Sequence, residues 1–211
     1  MTSAQTAKTL LSRLHEAHPG ARYELNWTTP FELLVATILA AQCTDERVNR
    51  VTATLFQKYR GPQAFADADT AELEEDLKPT GFYKQKTKSV QAMSRELLAA
   101  FGGEVPRTVE ELTTLPGVAR KTANVVLNTA FNLASGVIVD THVARVSQRM
   151  GLSKKEKPEE IEKDLMKLVP QDEWTFFGPA TVLHGRYTCT ARKPKCDACP
   201  MSDSCPKIGV E

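Results

Sequence analysis

The sequence predicts an all-α protein. Apolar residues recur at helical spacing along most of the 211 residues, and Pro- and Gly-containing turn signals separate these segments. The only strand candidate, residues 136–139, has no evident partner, and an isolated strand is unstable. A hydrophobic content of 41% indicates a globular chain that is long enough to bury a sizeable core.

Before the loop at residues 102–106, each predicted helix is separated from the next by a turn or capping signal such as Pro19-Gly20 or Pro79-Thr80-Gly81. These helices cover residues 4–17, 31–42, 45–59, 62–66, 70–77 and 83–101. Segment 31–42 is almost entirely apolar, and a helix that is hydrophobic on all sides is buried. Cys43 follows it and is expected to belong to the same core.

Residues 108–133 predict a helix, a tight turn and a second helix. The first helix runs through residue 115, Pro116-Gly117 form the turn, and the second helix covers residues 118–133. The first N–H groups of the second helix lack intrahelical acceptors and carry the positive end of its dipole. A phosphate therefore fits there, and Gly117 allows the backbone to approach it closely.

Lys121 lies in the first turn of this second helix. The helix dipole and neighbouring Arg120 both disfavour a further positive charge there, which favours a neutral and nucleophilic amine. The alternative is a surface lysine that contacts phosphate, and these residues alone do not separate the two roles.

An apolar run at residues 137–139 ends in Asp140, directly before another helical pattern that reaches about residue 150. This position is typical of an N-cap, and a capping carboxylate can also take part in catalysis. Two more helices are predicted, over residues 158–169 and 174–183.

Four cysteines near the C-terminus have the spacing C-x6-C-x2-C-x5-C: Cys189, Cys196, Cys199 and Cys205. Such density indicates disulfides or a metal site. No apolar run has the length of a membrane span and residues 1–5 show no signal pattern, so we expect an intracellular protein, which argues against disulfides. Four thiolates suit either Zn²⁺ or a [4Fe–4S] cluster.

The stretch from Leu115 to Ala123, followed by Asp140 in Val139-Asp140-Thr141-His142, resembles the helix-hairpin-helix DNA glycosylase superfamily. Within it, the chain most resembles the endonuclease III family from about residue 25 to residue 205. The resemblance implies a six-helix domain at residues 23–134 and a discontinuous iron–sulfur domain formed by residues 1–22 plus 135–211. It also implies that the four cysteines hold a [4Fe–4S] cluster. We expect the role of this cluster to be structural, because glycosidic hydrolysis and β-elimination transfer no net electrons.

The resemblance implies that a damaged base is flipped into a cleft between the two domains, where Lys121 is the nucleophile and Asp140 assists. Gln42 and Phe82 are expected to fill the gap in the duplex, although a core position for Phe82 is an equally good prediction. The remaining implied DNA contacts come from the hairpin, the segment after Asp140 and the basic loop between the cysteines: Gly117, Ala119, Arg120, His142, Arg192, Lys193 and Lys195.

Ala119 departs from the family pattern, which usually has a second glycine at this position. If the backbone there requires a positive φ, alanine is strained and phosphate binding at the hairpin is weakened.

The function that the resemblance implies is a bifunctional DNA glycosylase that excises oxidised pyrimidines and cleaves abasic sites in double-stranded DNA. We expect a monomer in the bacterial cytoplasm, associated with the nucleoid and not with a membrane. The formal net charge of +1 does not by itself indicate a nucleic-acid partner, but Lys84, Lys86 and Lys88 form a basic cluster that could follow phosphates. The alternatives are an adenine-specific mismatch glycosylase, which usually lacks the hairpin lysine, and a non-catalytic DNA-binding module with a zinc-stabilised tail.

Overall fold

A computed structural model of the chain describes residues 2–210, and within these residues it contains helices and no strand, so the all-α prediction is confirmed. The buried residues 137–139 form neither a helix nor a strand. In chain order the α-helices are α1 (Ser3–Ala17), α2 (Pro30–Leu39), α3 (Asp45–Lys58), α4 (Gly61–Asp67), α5 (Thr70–Leu77), α6 (Tyr83–Phe101), α7 (Val109–Leu112), α8 (Arg120–Ala130), α9 (Thr141–Arg149), α10 (Pro158–Leu168) and α11 (Trp174–Tyr187).

The chain divides into two compact units. We call Glu24–Ser135 the hairpin unit, and residues 2–23 together with 136–210 the cysteine unit. The hairpin unit contains the seven helices α2 to α8, as many as the helical segments predicted there and one more than the resemblance implied, and the shortest of them, α7, has four residues. None of the described helices is both long and apolar enough to cross a membrane.

The hairpin unit is built around α2, which packs against α3, α6 and α8. Helix α2 buries most of its residues: Phe31, Leu33, Leu34, Val35, Ala36, Ile38 and Leu39. Each fully buried leucine contributes about 1.5–3 kcal/mol relative to an exposed one, so this helix supplies much of the driving force for the unit. Cys43 packs partly buried against the same core, as expected from its position after the apolar helix.

Several helix ends differ from the sequence-based limits. Helix α2 ends at Leu39 and not at residue 42, because the chain turns there and Gln42 has a left-handed backbone with φ +53°. The helix predicted to reach residue 115 is the single turn α7, and α8 begins at Arg120. Residues 113–119 connect α7 to α8, so the hairpin turn is longer than the Pro116-Gly117 signal alone predicted.

In the cysteine unit, α11 packs against α1 and α9, and α10 also packs against both of these helices. Gly185 allows α11 to approach α9 closely, because a Cβ at this position would lie 2.9 Å from the Cβ of His142. The close packing brings the residues that follow α11, which carry the cysteines, next to α9.

Candidate functional site

The hairpin between α7 and α8 presents Gly117, Ala119 and Lys121 at the surface of its unit. The N–H of Val118 donates to the carbonyl of Leu115 at 3.1 Å and closes the turn. Gly117 has φ +80°, and a Cβ there would lie 2.8 Å from the Cβ of Ser89 in α6. Both the conformation and the close approach therefore require glycine at position 117.

Ala119 has φ −87° and ψ 166°, an ordinary extended conformation that alanine adopts without strain. The backbone at residue 119 therefore does not have a positive φ, and alanine is not expected to weaken phosphate binding at the hairpin. Ala119 is the N-cap of α8 and provides no side-chain hydrogen bond to the helix. The first N–H groups of α8 are consequently left without a capping side chain, at the end of the helix where the dipole favours an anion.

Lys121 is exposed in the first turn of α8, while the opposite side of this helix is buried in the hairpin unit. Ala123, Val126 and Leu127 anchor that buried side. The lysine amine is thus held on a rigid helix, beside the turn that suits a phosphate.

Gln42 and Phe82 are both exposed and both have left-handed backbones, with φ +53° and +49°. Phe82 is 66% exposed, so the alternative prediction that it packs in the core is wrong. Helix α3, which begins shortly after Gln42, packs against the 3-10 turn Lys78–Thr80 that leads to Phe82. Two strained and exposed turns of this kind are typical of functional positions.

Asp140 is the N-cap of α9 in the cysteine unit. Its Oδ1 accepts hydrogen bonds from the N–H groups of His142 and Val143, at 2.8 Å and 2.9 Å. Within residues 2–210, Oδ2 has no hydrogen-bond partner. The two bonds therefore fix the orientation of the half-buried carboxyl group and leave one of its oxygens available for another role.

His142 lies half-buried in the first turn of α9, and its Nδ1 is 3.1 Å from Nη2 of Arg145. A guanidinium can only donate, so Nδ1 of His142 is the acceptor in this contact. Arg145 also donates from Nε to the carbonyl of Cys189 at 3.1 Å. One arginine thus connects the segment after Asp140 with the first of the four cysteines.

The four cysteines, all half-buried, line one cavity of the cysteine unit that is partly open to solvent. Among residues 2–210, no three His, Cys, Asp or Glu side chains are grouped closely enough to share one metal ion. Four cysteine thiols around one space are a donor set that suits an iron–sulfur cluster.

Hydrogen bonds to sulfur support this interpretation. The N–H of Met201 donates to Sγ of Cys199, and that of Lys207 donates to Sγ of Cys205, both at 3.4 Å. Burial raises the pKa of the Cys199 and Cys205 thiols, so positive charge from bound iron would compensate for the cost of forming the thiolates. The donor set therefore fits an iron–sulfur cluster.

Arg149 braces the loop between the first two cysteines. Its guanidinium donates to the carbonyls of Thr190 and Ala191, at 2.7 Å and 3.0 Å, and to Sγ of Cys189 at 3.3 Å. The expected DNA-contacting residues Arg192, Lys193 and Lys195 are exposed in this basic loop.

Sequence reasoning missed Arg145, Arg149 and Ser89, and it placed Lys86 in a basic surface cluster. Lys86 is only 4% exposed, so it cannot belong to a surface track for phosphates. The two arginines lie four residues apart in the helix that follows Asp140, a spacing that puts them on one face. That spacing was a detectable signal, whereas nothing local in the sequence indicated the burial of Lys86 or the contact between Ser89 and Gly117.

Two family models match the chain. Residues 35–171 match the HhH-GPD superfamily of base excision DNA repair proteins, and residues 189–205 match the iron–sulfur binding domain of endonuclease III. The Endonuclease III of Synechocystis sp. is 53% identical over 202 residues, which cover 96% of this chain and 92% of that protein. The Endonuclease III of Escherichia coli K12 is 42% identical over 196 residues, which cover 93% and 92%.

Solved structures also resemble this fold. A non-covalent endonuclease III–DNA complex has a TM-score of 0.93 and 42% identity, covering 98% of this chain and 97% of that chain. A trapped endonuclease III–DNA covalent intermediate, an estranged-adenine complex, has the same TM-score, identity and coverage. The similarity extends over the hairpin, Asp140 and the cysteine loop.

Proposed function

The chain belongs to the endonuclease III family within the HhH-GPD superfamily of base excision DNA repair proteins, and from this premise we propose how its residues carry out the reaction. The protein is a DNA glycosylase and abasic-site lyase of base excision repair, and its C-terminal segment binds an iron–sulfur cluster. We propose double-stranded DNA with oxidised pyrimidines or abasic sites as its substrate, a monomer as the active form, and the bacterial cytoplasm, at the nucleoid, as its location.

The observation that carries the proposed mechanism is the exposed amine of Lys121 in the first turn of α8, next to the phosphate-suited Gly117 turn. The lysine nitrogen forms a bond to the sugar C1′ while the glycosidic bond breaks, and the base leaves with the electron pair and takes up a proton. After the nitrogen has lost one proton, its lone pair breaks the bond between C1′ and the ring oxygen O4′, which takes up a proton, so that the opened sugar carries a protonated Schiff base. This Schiff base loses a proton from C2′, and the released electrons expel the 3′ phosphate. Water then hydrolyses the Schiff base and frees the lysine.

Asp140 assists this reaction either by stabilising positive charge on the sugar or by moving protons. The two hydrogen bonds to Oδ1 hold the carboxyl group in one orientation, and Oδ2 is the oxygen that acts on the substrate. Asp140 is well suited to act on the substrate, because the capping hydrogen bonds to Oδ1 also keep Oδ2 in a constant position.

The target base leaves the duplex, and Gln42 and Phe82 fill the gap. The 66% exposure of Phe82 and the left-handed backbones of both residues support this role. DNA phosphates contact the hairpin, the segment after Asp140 and the basic loop, through Gly117, Ala119, Arg120, His142, Arg192, Lys193 and Lys195. Gly117 and the uncapped start of α8 provide N–H groups for one phosphate, and the basic loop provides charge for others.

We propose that the cluster is of the [4Fe–4S] type, with Cys189, Cys196, Cys199 and Cys205 as its ligands. When bound, it supplies iron–thiolate bonds that hold the basic loop in place. Base release and β-elimination transfer no net electrons, which supports a structural role. The zinc-stabilised, non-catalytic alternative is disfavoured by the match to an iron–sulfur binding domain, and the adenine-mismatch alternative by the presence of Lys121.

Borohydride reduction tests the nucleophile. Reduction of the Schiff base should link the wild-type protein covalently to duplex DNA that contains an abasic site or an oxidised pyrimidine, and Lys121→Gln should abolish the adduct while DNA binding persists. Lys8→Met, at an exposed position of α1, is the matched control and should form the adduct normally. An adduct of normal yield in Lys121→Gln would assign the nucleophile to another amine.

A further inference from the structure

Lys86 is a buried lysine that the proposed reaction does not use. It lies in the first part of α6, is 4% exposed, and forms no salt bridge within the described part of the chain. Burial lowers its pKa, because the ammonium is removed from water without a carboxylate beside it. A methionine of similar length would fill the same space without this cost, so the charged group needs a specific reason to be there.

The contacts of Lys86 point to the turn that carries Phe82. Its Nζ donates to the carbonyl of Thr80 at 2.8 Å, and its backbone N–H donates to the carbonyl of Phe82 at 3.1 Å. One residue thus holds both sides of Gly81, which has φ +70° and ψ 159°. That conformation is almost restricted to glycine, and the left-handed Phe82 that follows is strained as well.

Cys43, the residue that directly follows Gln42, lies near enough to Lys86 that a negative charge on its sulfur would favour the ammonium. The ammonium therefore lies within electrostatic range of the turn after α2 while it hydrogen-bonds to the turn before α6. Both of these turns present a residue with a proposed role in filling the duplex gap.

We propose that Lys86 is a positioning residue for strand opening: its buried ammonium holds the carbonyl of Thr80 so that the Gly81-Phe82 turn keeps the Phe82 ring projected for insertion into the duplex. The proposal rests on the proposed function and on the proposed role of Phe82. Lys86 does not touch the substrate, and its effect is transmitted through the position of Phe82.

The test compares Lys86→Met on two substrates, an abasic site in duplex DNA and the same site in single-stranded DNA, which has no gap to fill. Loss of one charge-assisted hydrogen bond should slow single-turnover strand cleavage of the duplex about tenfold. Cleavage of single-stranded DNA should stay within about twofold of wild type. Lys8→Met controls for the loss of one positive charge and should cleave both substrates normally.

A double-mutant cycle with Phe82→Ala tests whether Lys86→Met slows duplex cleavage through the position of Phe82. Phe82→Ala alone should slow duplex cleavage, and addition of Lys86→Met should slow it no further. Gly81→Ala has space for its Cβ but not the required backbone, so it should behave like Lys86→Met and provides the test if Lys86→Met does not fold.

Equal losses on both substrates, or losses that add to those of Phe82→Ala, would overturn the proposal and reduce Lys86 to a structural role. Normal duplex cleavage by Phe82→Ala would also overturn it, because the side chain that Lys86 positions would then be dispensable. Failure of the proposed function is a distinct result, since the wild-type protein would then form no borohydride adduct with either substrate.

Discussion

Gly117→Ala should destabilise the hairpin for two reasons that can be separated. The left-handed backbone at φ +80° costs a non-glycine residue about 1–2 kcal/mol. The new Cβ would also lie 2.8 Å from the Cβ of Ser89, which cannot rotate away because it is attached directly to the α6 backbone. Overpacking of this kind costs about 1–3 kcal/mol, so the total is about 2–5 kcal/mol.

The main effect of Gly117→Ala should be local, because the core around α2 is unchanged. We expect a lower midpoint of thermal unfolding and at least about tenfold weaker binding to duplex DNA that contains a stable abasic-site analogue. Thermal unfolding and equilibrium binding, each at one fixed salt concentration, measure the two effects.

Two further variants separate the causes. Ala119→Gly should leave stability within about 1 kcal/mol of wild type, because φ −87° suits both residues. Glycine is the better N-cap, but it also gives the unfolded chain more conformational freedom, so the two effects oppose each other. Ser89→Gly combined with Gly117→Ala removes the contact between the two Cβ atoms but not the backbone strain, so the pair should be more stable than the sum of the single changes predicts. Wild-type stability and affinity in Gly117→Ala would refute the reasoning about this turn.

Three other predictions address Asp140, the cluster and its loop. Asp140→Asn can still cap α9, so it should bind damaged DNA normally but release the base at least about a hundredfold more slowly in single-turnover assays; near-normal rates would reduce Asp140 to a cap. The purified protein should be brown, and Cys199→Ser should lose visible absorbance, whereas a colourless wild-type protein with one bound zinc ion would contradict the cluster. Arg149→Met should expose the basic loop to trypsin at least about tenfold faster, because it loses the hydrogen bonds to Thr190 and Ala191, and an unchanged digestion rate would contradict that bracing role.

The helices and their order could be predicted because the signals for them are local. Thr29 and Thr44, for example, accept hydrogen bonds from the N–H groups of Glu32 and Arg47, three residues further along the chain. The ends of helices were less predictable. Gln42 follows an apolar helix without any breaking residue, yet the chain turns before it, because packing of the next helix determines where α2 stops.

The site residues also differ in whether local sequence signals or only tertiary contacts reveal them. Lys121, Asp140 and the four cysteines belong to short motifs, so they could be proposed as site residues from their neighbours in the sequence. The residues that contact these motifs could not be predicted in this way. Arg149 contacts Thr190 across 41 positions of sequence, and no local pattern indicates such a contact.

The sequence by itself therefore determined the all-α class, the hairpin lysine, the capping aspartate and the cysteine loop. Only the tertiary structure decided that Phe82 is exposed, that Lys86 is buried against Thr80, and that Ser89 leaves room for nothing but glycine at position 117. The physical reason is range: capping, turn chemistry and helix periodicity act between residues a few positions apart. Burial and long-range hydrogen bonds depend on which helices pack together, and that is established only when the whole chain has folded.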